Sequence, residues 1–205
     1  MLKRAVIFAN GALFDAEKIK EQIVSSDFLL AVDGGHYHMK SLGLIPNLVL
    51  GDLDSIQKVE FDQLQNSGVK ILQFPQEKDE TDLELALREA TTRGFPNVLI
   101  VAGLGGRLDQ TLGNLSLLKA PFLANNLIKL DDGYEEVWNI KKTTYPEGLQ
   151  IKGEIGDVVS LLSFGSVSKG IITEGLKYPL VGESLLSYQT RGVSNEMIKS
   201  KAKCP

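Results

Sequence analysis

Residues 28–35 read Phe28-Leu29-Leu30-Ala31-Val32-Asp33-Gly34-Gly35. Five apolar residues run without polar alternation, and then an acid and two glycines stop them. A half-buried strand would alternate, so this run predicts a strand covered on both faces and ending in an acid-bearing turn. The pattern recurs on either side: Ala5 to Ala9 is apolar, Leu48-Val49-Leu50 ends at Gly51-Asp52, and Val98 to Ala102 ends at Gly103-Leu104-Gly105-Gly106. Further strands are expected at Val69 to Phe74 and Leu127 to Leu130.

Helical signals fill the gaps. Leu83, Ala86, Leu87 and Ala90 fall at i, i+3, i+4 and i+7, one apolar face, with Thr81 or Asp79 to cap the start and Gly94 to stop it. Helices are also expected over 16–25, 37–42, 59–66 and 108–118. Buried strands alternating with helices predict an α/β domain with a mostly parallel sheet and flanking helices over residues 1–134. After Tyr134 the helical period fades, and short β-type runs (149–151, 158–164, 170–173, 184–188) lie between glycine-bearing turns. Residues 135–205 therefore read as a small antiparallel β domain.

Composition narrows the function. The chain has 205 residues, 43% hydrophobic and 23% charged, which is ordinary for a globular protein. Net charge is −4, and apart from a lysine-bearing tail there is no basic stripe, so nucleic acid is not an expected partner. No run of about 18 apolar residues predicts a membrane span. One cysteine, Cys204, cannot form an internal disulfide, and a reducing cytoplasm fits. Its place at a terminus that should fray argues against a nucleophile. His36 and His38 alternate as strand neighbours would, and without a nearby cysteine they make a poor zinc site.

Four polar clusters fall where strands end, the edge at which parallel sheets bind ligands. Asp33-Gly34-Gly35 reads alone as a plain turn. In Gly51-Asp52-Leu53-Asp54-Ser55, an extended backbone would aim Asp52 and Asp54 the same way, toward one Mg²⁺. The plainer reading is a solvated loop with Asp54 or Ser55 capping a helix. Glu77-Lys78-Asp79-Glu80-Thr81-Asp82 sets four acids around one lysine at a helix start. The helix dipole accounts for two such acids more readily than four, and Lys78 could neutralise phosphate. Gly105-Gly106-Arg107-Leu108-Asp109-Gln110 feeds a glycine turn into a helix N-terminus, an anion site, with Arg107 able to fork onto phosphate oxygens. It fits neither the P-loop nor the dinucleotide glycine fingerprint. Jointly the clusters favour a metal–polyphosphate site, because an acidic protein can hold polyphosphate through divalent ions. Phosphoryl transfer, a non-catalytic nucleotide sensor and a structural dimerisation domain all remain open at this level. The last leaves the strand-end acids unexplained.

In order and combination these motifs resemble the thiamin pyrophosphokinase family over nearly the whole chain. Gly175-Leu176-Lys177-Tyr178-Pro179-Leu180 and Gly192-Val193-Ser194-Asn195-Glu196 extend the likeness into the second domain. The resemblance implies a Rossmann-like α/β domain joined to a small β-sandwich domain that binds thiamin and dimerises. It implies Mg²⁺-dependent transfer of diphosphate from ATP to the hydroxyl of thiamin within a homodimer. Carried over by position, Asp52, Asp54 and Asp82 match the magnesium-binding acids. Asp33, Gly34, Gly35, Thr81, Gly105, Gly106, Arg107 and Asp109 look like nucleotide-site residues. Lys78 and Asp79 share the catalytic segment, and Gln110, Ser194 and Asn195 match positions that line the substrate. Gln110 stands where many bacterial relatives carry histidine and others glutamine. The family closes its β domain with a hairpin after the serine-asparagine motif. Here Met197 to Pro205 is lysine-rich and poor in strand signal, so a missing hairpin would leave an open sheet edge.

Overall fold

The computed structural model describes residues 4–54 and 56–204; Ser55, named above as a possible helix cap, lies outside them, as do residues 1–3 and 205. Contacts divide the chain into two compact units, Met1–Asn139 and Ile140–Pro205.

In the first unit the elements run β1 (Arg4–Phe8), α1 (Ala16–Gln22), β2 (Phe28–Val32), α2 (Gly35–Ser41), β3 (Leu48–Gly51), α3 (Lys58–Asn66), β4 (Lys70–Gln73), α4 (Asp82–Thr92), β5 (Asn97–Val101), α5 (Leu108–Leu117), β6 (Leu127–Asp131) and β7 (Glu136–Trp138). One sheet takes the order β4-β3-β2-β1-β5-β6-β7. The first six strands are parallel, and β7 returns antiparallel on β6. The chain leaves β1 toward β2, β3 and β4, then crosses by α4 to the other side of β1, so the order reverses between β1 and β5. Crevices beyond the carboxyl ends of such strands are where open α/β sheets bind ligands.

Strand residues alternate between two cores. Ala5, Ile7, Leu30, Leu50 and Ile100 face α4 with its buried Leu83, Ala86, Leu87 and Ala90. Val6, Phe8, Ala31, Val49 and Val101 pack with Ile19 of α1 and Met39 of α2. This is the period-2 division of a strand covered on both sides. Helix starts follow capping chemistry: Asp15 accepts from the Lys18 amide (2.9 Å) at α1 and Thr81 from the Glu84 amide (3.2 Å) at α4. Asp79 and Asp54 are not caps. α1 stops at Gln22, short of the expected Ser25, where the Arg4 guanidinium donates to the Gln22 carbonyl (2.6 Å) and to Asp27 (2.9 Å). His36 and His38 lie on α2, not on a strand. The change of texture at Tyr134 does not end the sheet, which takes β7 beyond it.

The second unit holds three two-stranded antiparallel sheets. They are β8 (Leu149–Lys152) with β13 (Lys201–Cys204), β9 (Val158–Val159) with β12 (Asn195–Glu196), and β10 (Ser168–Ile172) with β11 (Val181–Leu185). The strand expected over 158–164 stops at Val159. Beyond it serine hydroxyls serve the backbone: Ser160 Oγ accepts from the Ser194 amide (3.1 Å), and Ser163 Oγ accepts from the Ser168 amide (3.0 Å).

The expectation for the tail is corrected. Lys201 to Cys204 pairs with β8 in the register Lys201↔Lys152, Ala202↔Ile151, Lys203↔Gln150, Cys204↔Leu149. The lysines alternate with Ala202 and Cys204, which are buried while the lysines face water. Charge count hid a period-2 pattern. Cys204 is not frayed either: it is fully buried, and burial pushes its thiol up to about 11, which leaves it a poor nucleophile.

Candidate active site

Non-glycine residues with left-handed backbone are uncommon, and in structures they gather at functional sites. Among the described residues there are four, Asp33 (φ 44), Leu53 (φ 65), Ala102 (φ 53) and Ser194 (φ 59). The first three follow β2, β3 and β5 at the carboxyl edge of the sheet. The fourth lies in the second unit's serine-asparagine motif.

Asp33 is the centre of the first unit's site. Its carboxyl packs so tightly on β3 that a Cβ added to Gly51 would lie 1.7 Å from Asp33 Oδ1, so this position admits only glycine. Gly35 sits as closely under the sheet, because a Cβ there would meet the Phe8 carbonyl at 2.0 Å. Burial first, then the charge and proximity of Asp82, then the charge of Asp52, push the Asp33 carboxyl up to about 7. Asp33, Asp52 and Asp82 are therefore crowded together, from three different strand ends. Asp33 Oδ1 is buried without a hydrogen-bond partner. Lys78 offers partial relief. Its ammonium lies 3.1 Å from Asp82 Oδ1 and donates to the Pro75 carbonyl (2.9 Å).

Asp52 and Asp54 do not share the extended geometry expected of them. The left-handed Leu53 turns the chain, Asp52 Oδ1 accepts from the Asp54 amide (3.1 Å), and the exposed Asp54 accepts from Gln76 (2.7 Å). Sequence reasoning missed Gln76. Among the described residues no three His, Cys, Asp or Glu side chains converge closely enough to cage a metal by themselves. The crowded acids, one of them with an unpartnered buried oxygen, nevertheless fit Mg²⁺, which takes one or two carboxylates and completes its shell with water and phosphate. Asp79 is exposed, and Thr81 is engaged as the α4 cap.

The glycine loop after β5 has Gly105 and Gly106 both left-handed (φ 73 and 71). It is tied back by Asn114, which donates to the Gly103 carbonyl (2.8 Å), and by Thr111, which donates to the Gly105 carbonyl (3.3 Å). The loop after β1 is laced to it, Gly11 donating to Ala102 (2.8 Å) and Ala12 to Leu104 (3.1 Å). These tethers escaped the sequence reading, although an Asn10-Gly11 step after the first strand was the available signal. Arg107 and Asp109 form an exposed two-bond pair (3.1 and 2.5 Å) at the start of α5, and Gln110 beside them is exposed.

In the second unit Ser194 is exposed, but Asn195 is buried. Asn195 accepts from the Tyr178 amide (3.0 Å) and donates to the Tyr178 carbonyl (2.7 Å). Its amide thus fixes the Lys177–Tyr178 turn and displays Tyr178, which is 62% exposed.

Residues 19–145, more than half the chain, match the thiamin pyrophosphokinase catalytic domain, and residues 148–204 match the thiamin pyrophosphokinase vitamin B1 binding domain. The chain is 31% identical over 173 residues to thiamine pyrophosphokinase of Bacillus subtilis (strain 168), covering 84% of this chain and 79% of that one. It is 29% identical over 143 residues to thiamine pyrophosphokinase 1 of Arabidopsis thaliana, covering 66% of this chain and 52% of the longer plant protein. The crystal structure of the Bacillus subtilis thiamine pyrophosphokinase superposes with a TM-score of 0.83 at 26% identity, covering 98% of this chain and 93% of that one. Yeast thiamin pyrophosphokinase shares the fold with a TM-score of 0.72 at 17% identity, covering 98% and 82%. A strand-end site of crowded acids on this sheet, with both domain matches beside it, leads to one assignment: the chain belongs to the thiamin pyrophosphokinase family.

Proposed function

We propose that the chain transfers diphosphate from ATP to the hydroxyl of thiamin, releasing AMP, and that Mg²⁺ is required. The observation that carries this reading is the crowding of Asp33, Asp52 and Asp82, with a single ammonium, that of Lys78, beside them, at the ligand-binding edge of the sheet. Such a cluster is unfavourable until a cation enters it. Asp52 and Asp82 hold the Mg²⁺, and Asp54, oriented by Gln76, is the third acid. Bound Mg²⁺ supplies charge neutralisation on the polyphosphate.

The chain's own groups do the rest. Gly34, Gly35, Gly105 and Gly106 let backbone approach the nucleotide, with Thr81 holding the start of α4 beside it. Arg107, released from Asp109, is a forked donor for phosphate oxygens. Lys78 keeps one ammonium proton free after Asp82 and Pro75 are served. The thiamin oxygen forms a bond to the β-phosphorus as the bond from that phosphorus to the AMP oxygen breaks. The hydroxyl proton passes to a carboxylate, and exposed Asp79 is the candidate acceptor. A loose transition state needs little basicity there. Gln110 in the first unit, and separately Ser194 and the Tyr178 turn held by Asn195 in the second, are the candidate thiamin contacts.

The second unit exposes an unusually apolar surface, including Val181 (78%), Ile155 (75%) and Leu162 (68%). A surface of this kind favours a second copy of the chain, and a homodimer is the assembly proposed. No helix among the described residues is long and apolar enough to cross a membrane. The direct test incubates pure protein with ATP, Mg²⁺ and thiamin. Equal amounts of AMP and thiamin diphosphate, abolished by EDTA, are expected. Inorganic phosphate without AMP would overturn the reading.

A further inference from the structure

Helix α2 carries two histidines that the reaction above does not use. His36 is almost fully buried (4% exposed), and its Nδ1 lies 2.9 Å from the Asp33 carbonyl oxygen. His38 Nε2 lies 3.0 Å from the Gly11 carbonyl oxygen. A carbonyl only accepts, so the proton sits on Nδ1 of His36 and on Nε2 of His38. The two rings are opposite tautomers, each donating to the backbone of a different loop.

Both loops border the site. Asp33 is the left-handed residue whose carboxyl meets Asp82, and the backbone bond from the His36 amide to the Asp33 carbonyl is stretched to 3.5 Å. The ring bond is therefore the shorter tether on that peptide. Gly11 is the residue whose amide ties the loop after β1 to Ala102. His36 is backed by the Tyr37 ring, 3.8 Å from its own.

We propose that His36 and His38 are positioning residues for the nucleotide, one helix setting the loops after β1 and β2 through two ring-to-carbonyl hydrogen bonds. The proposal rests on the reading of this edge as the Mg–ATP site, but not on thiamin as the acceptor. Neither ring touches the reacting atoms. Each holds the backbone of a loop at the sheet edge where the nucleotide is proposed to bind.

The test uses the full chain and the variants His36→Ala, His36→Asn, His38→Ala and His38→Gln. The Asn amide nitrogen replaces Nδ1, and the Gln amide nitrogen replaces Nε2. Binding of Mg²⁺ with a non-hydrolysable ATP analogue is measured by calorimetry without thiamin, alongside melting temperature and both Michaelis constants. Each alanine variant should weaken the nucleotide about tenfold, the worth of one well-placed hydrogen bond, and leave the thiamin KM unchanged. The Asn and Gln variants should recover most of that loss. Nucleotide binding at the wild-type level in both alanine variants would overturn the proposal. So would Asn and Gln variants no better than alanine. If His36→Ala does not fold, ¹⁵N spectra of wild-type His36 and His38 decide, because the reverse tautomers contradict both hydrogen bonds. Failure of the wild type to make thiamin diphosphate would strike the proposed acceptor and leave these binding results standing.

Discussion

The two units solve the burial problem differently. The first sandwiches its sheet between two apolar clusters that fill both faces. The second has a core of five buried residues, Val159, Leu176, Met197, Ala202 and Cys204, under three separate strand pairs. Eleven of the nineteen large apolar side chains exposed among the described residues belong to this smaller unit. A domain of fewer than about 70 residues rarely closes its energy balance on such a core. The difference teaches that the acid-bearing strand ends belong to the unit whose sheet is covered on both faces, while the other unit leaves much apolar surface exposed. A second copy of the chain is the proposed answer.

That comparison breaks first at the acids. If the first unit is a complete scaffold carrying unrelieved charge, Asp82→Asn or Asp52→Asn should lower turnover by about 10² to 10³, the usual size of a lost charge-stabilising group. Without metal Asp52→Asn should melt no lower than wild type, since it removes a like charge from beside Asp33. A steady-state assay and a metal-free melting curve read both effects. Near-normal turnover would refute the metal role.

The small core should be less tolerant. Met197→Ala empties a nearly fully buried site among only four other core residues, at a cost of about 2 to 5 kcal/mol. Hydrogen exchange should show the loss in residues 140–204 while the parallel sheet keeps its protection. Uniform loss in both units would mean that they unfold as one. A third probe is the exposed cross-strand pair Ile172 and Val181 on β10 and β11. Replacing both with Asp should cost a dimer interface about 2 kcal/mol or more. Light scattering should then find monomers with impaired thiamin turnover but intact Mg–ATP binding. An unchanged mass would place the interface elsewhere.

Legibility in the sequence followed the same division. In the first unit, apolar runs place β2 at the residues observed and β1, β3, β4, β5 and β6 within one residue, because burial on both faces leaves an unbroken signal, while the three-residue β7 went unread. In the second unit, strands of two to five residues with bulges and serine-bonded turns carry little period. The β13 pairing was hidden by lysines that face water. At the strand ends, the motifs fall on loops that the fold brings to one edge, but their internal geometry was not legible. The turn at Leu53 separates Asp52 from Asp54, and Asn195 spends its amide on Tyr178, a contact set by a partner 17 residues away. Gln76 and His36 act through contacts that only the folded chain creates.

The smallest effect sharpens the contrast from the surface of the complete unit. Glu60, on α3, is held down to about 2 by Lys40 and then Tyr37, against an ordinary value of 4.5. A depressed carboxylate stabilises the fold fully above its unfolded value, and that contribution is lost as pH falls through the folded one. Glu60→Gln should therefore lower the melting temperature at pH 7. The gap should begin to close below about pH 4.5 and vanish near pH 2. Because Lys40 reaches Glu60 from the solvent side, the pair is partly screened and the gap at pH 7 should be small. Melting curves of both proteins across that range decide the matter. A gap that persists unchanged at pH 2 would mean Glu60 acts through packing beneath α2 and not through its charge.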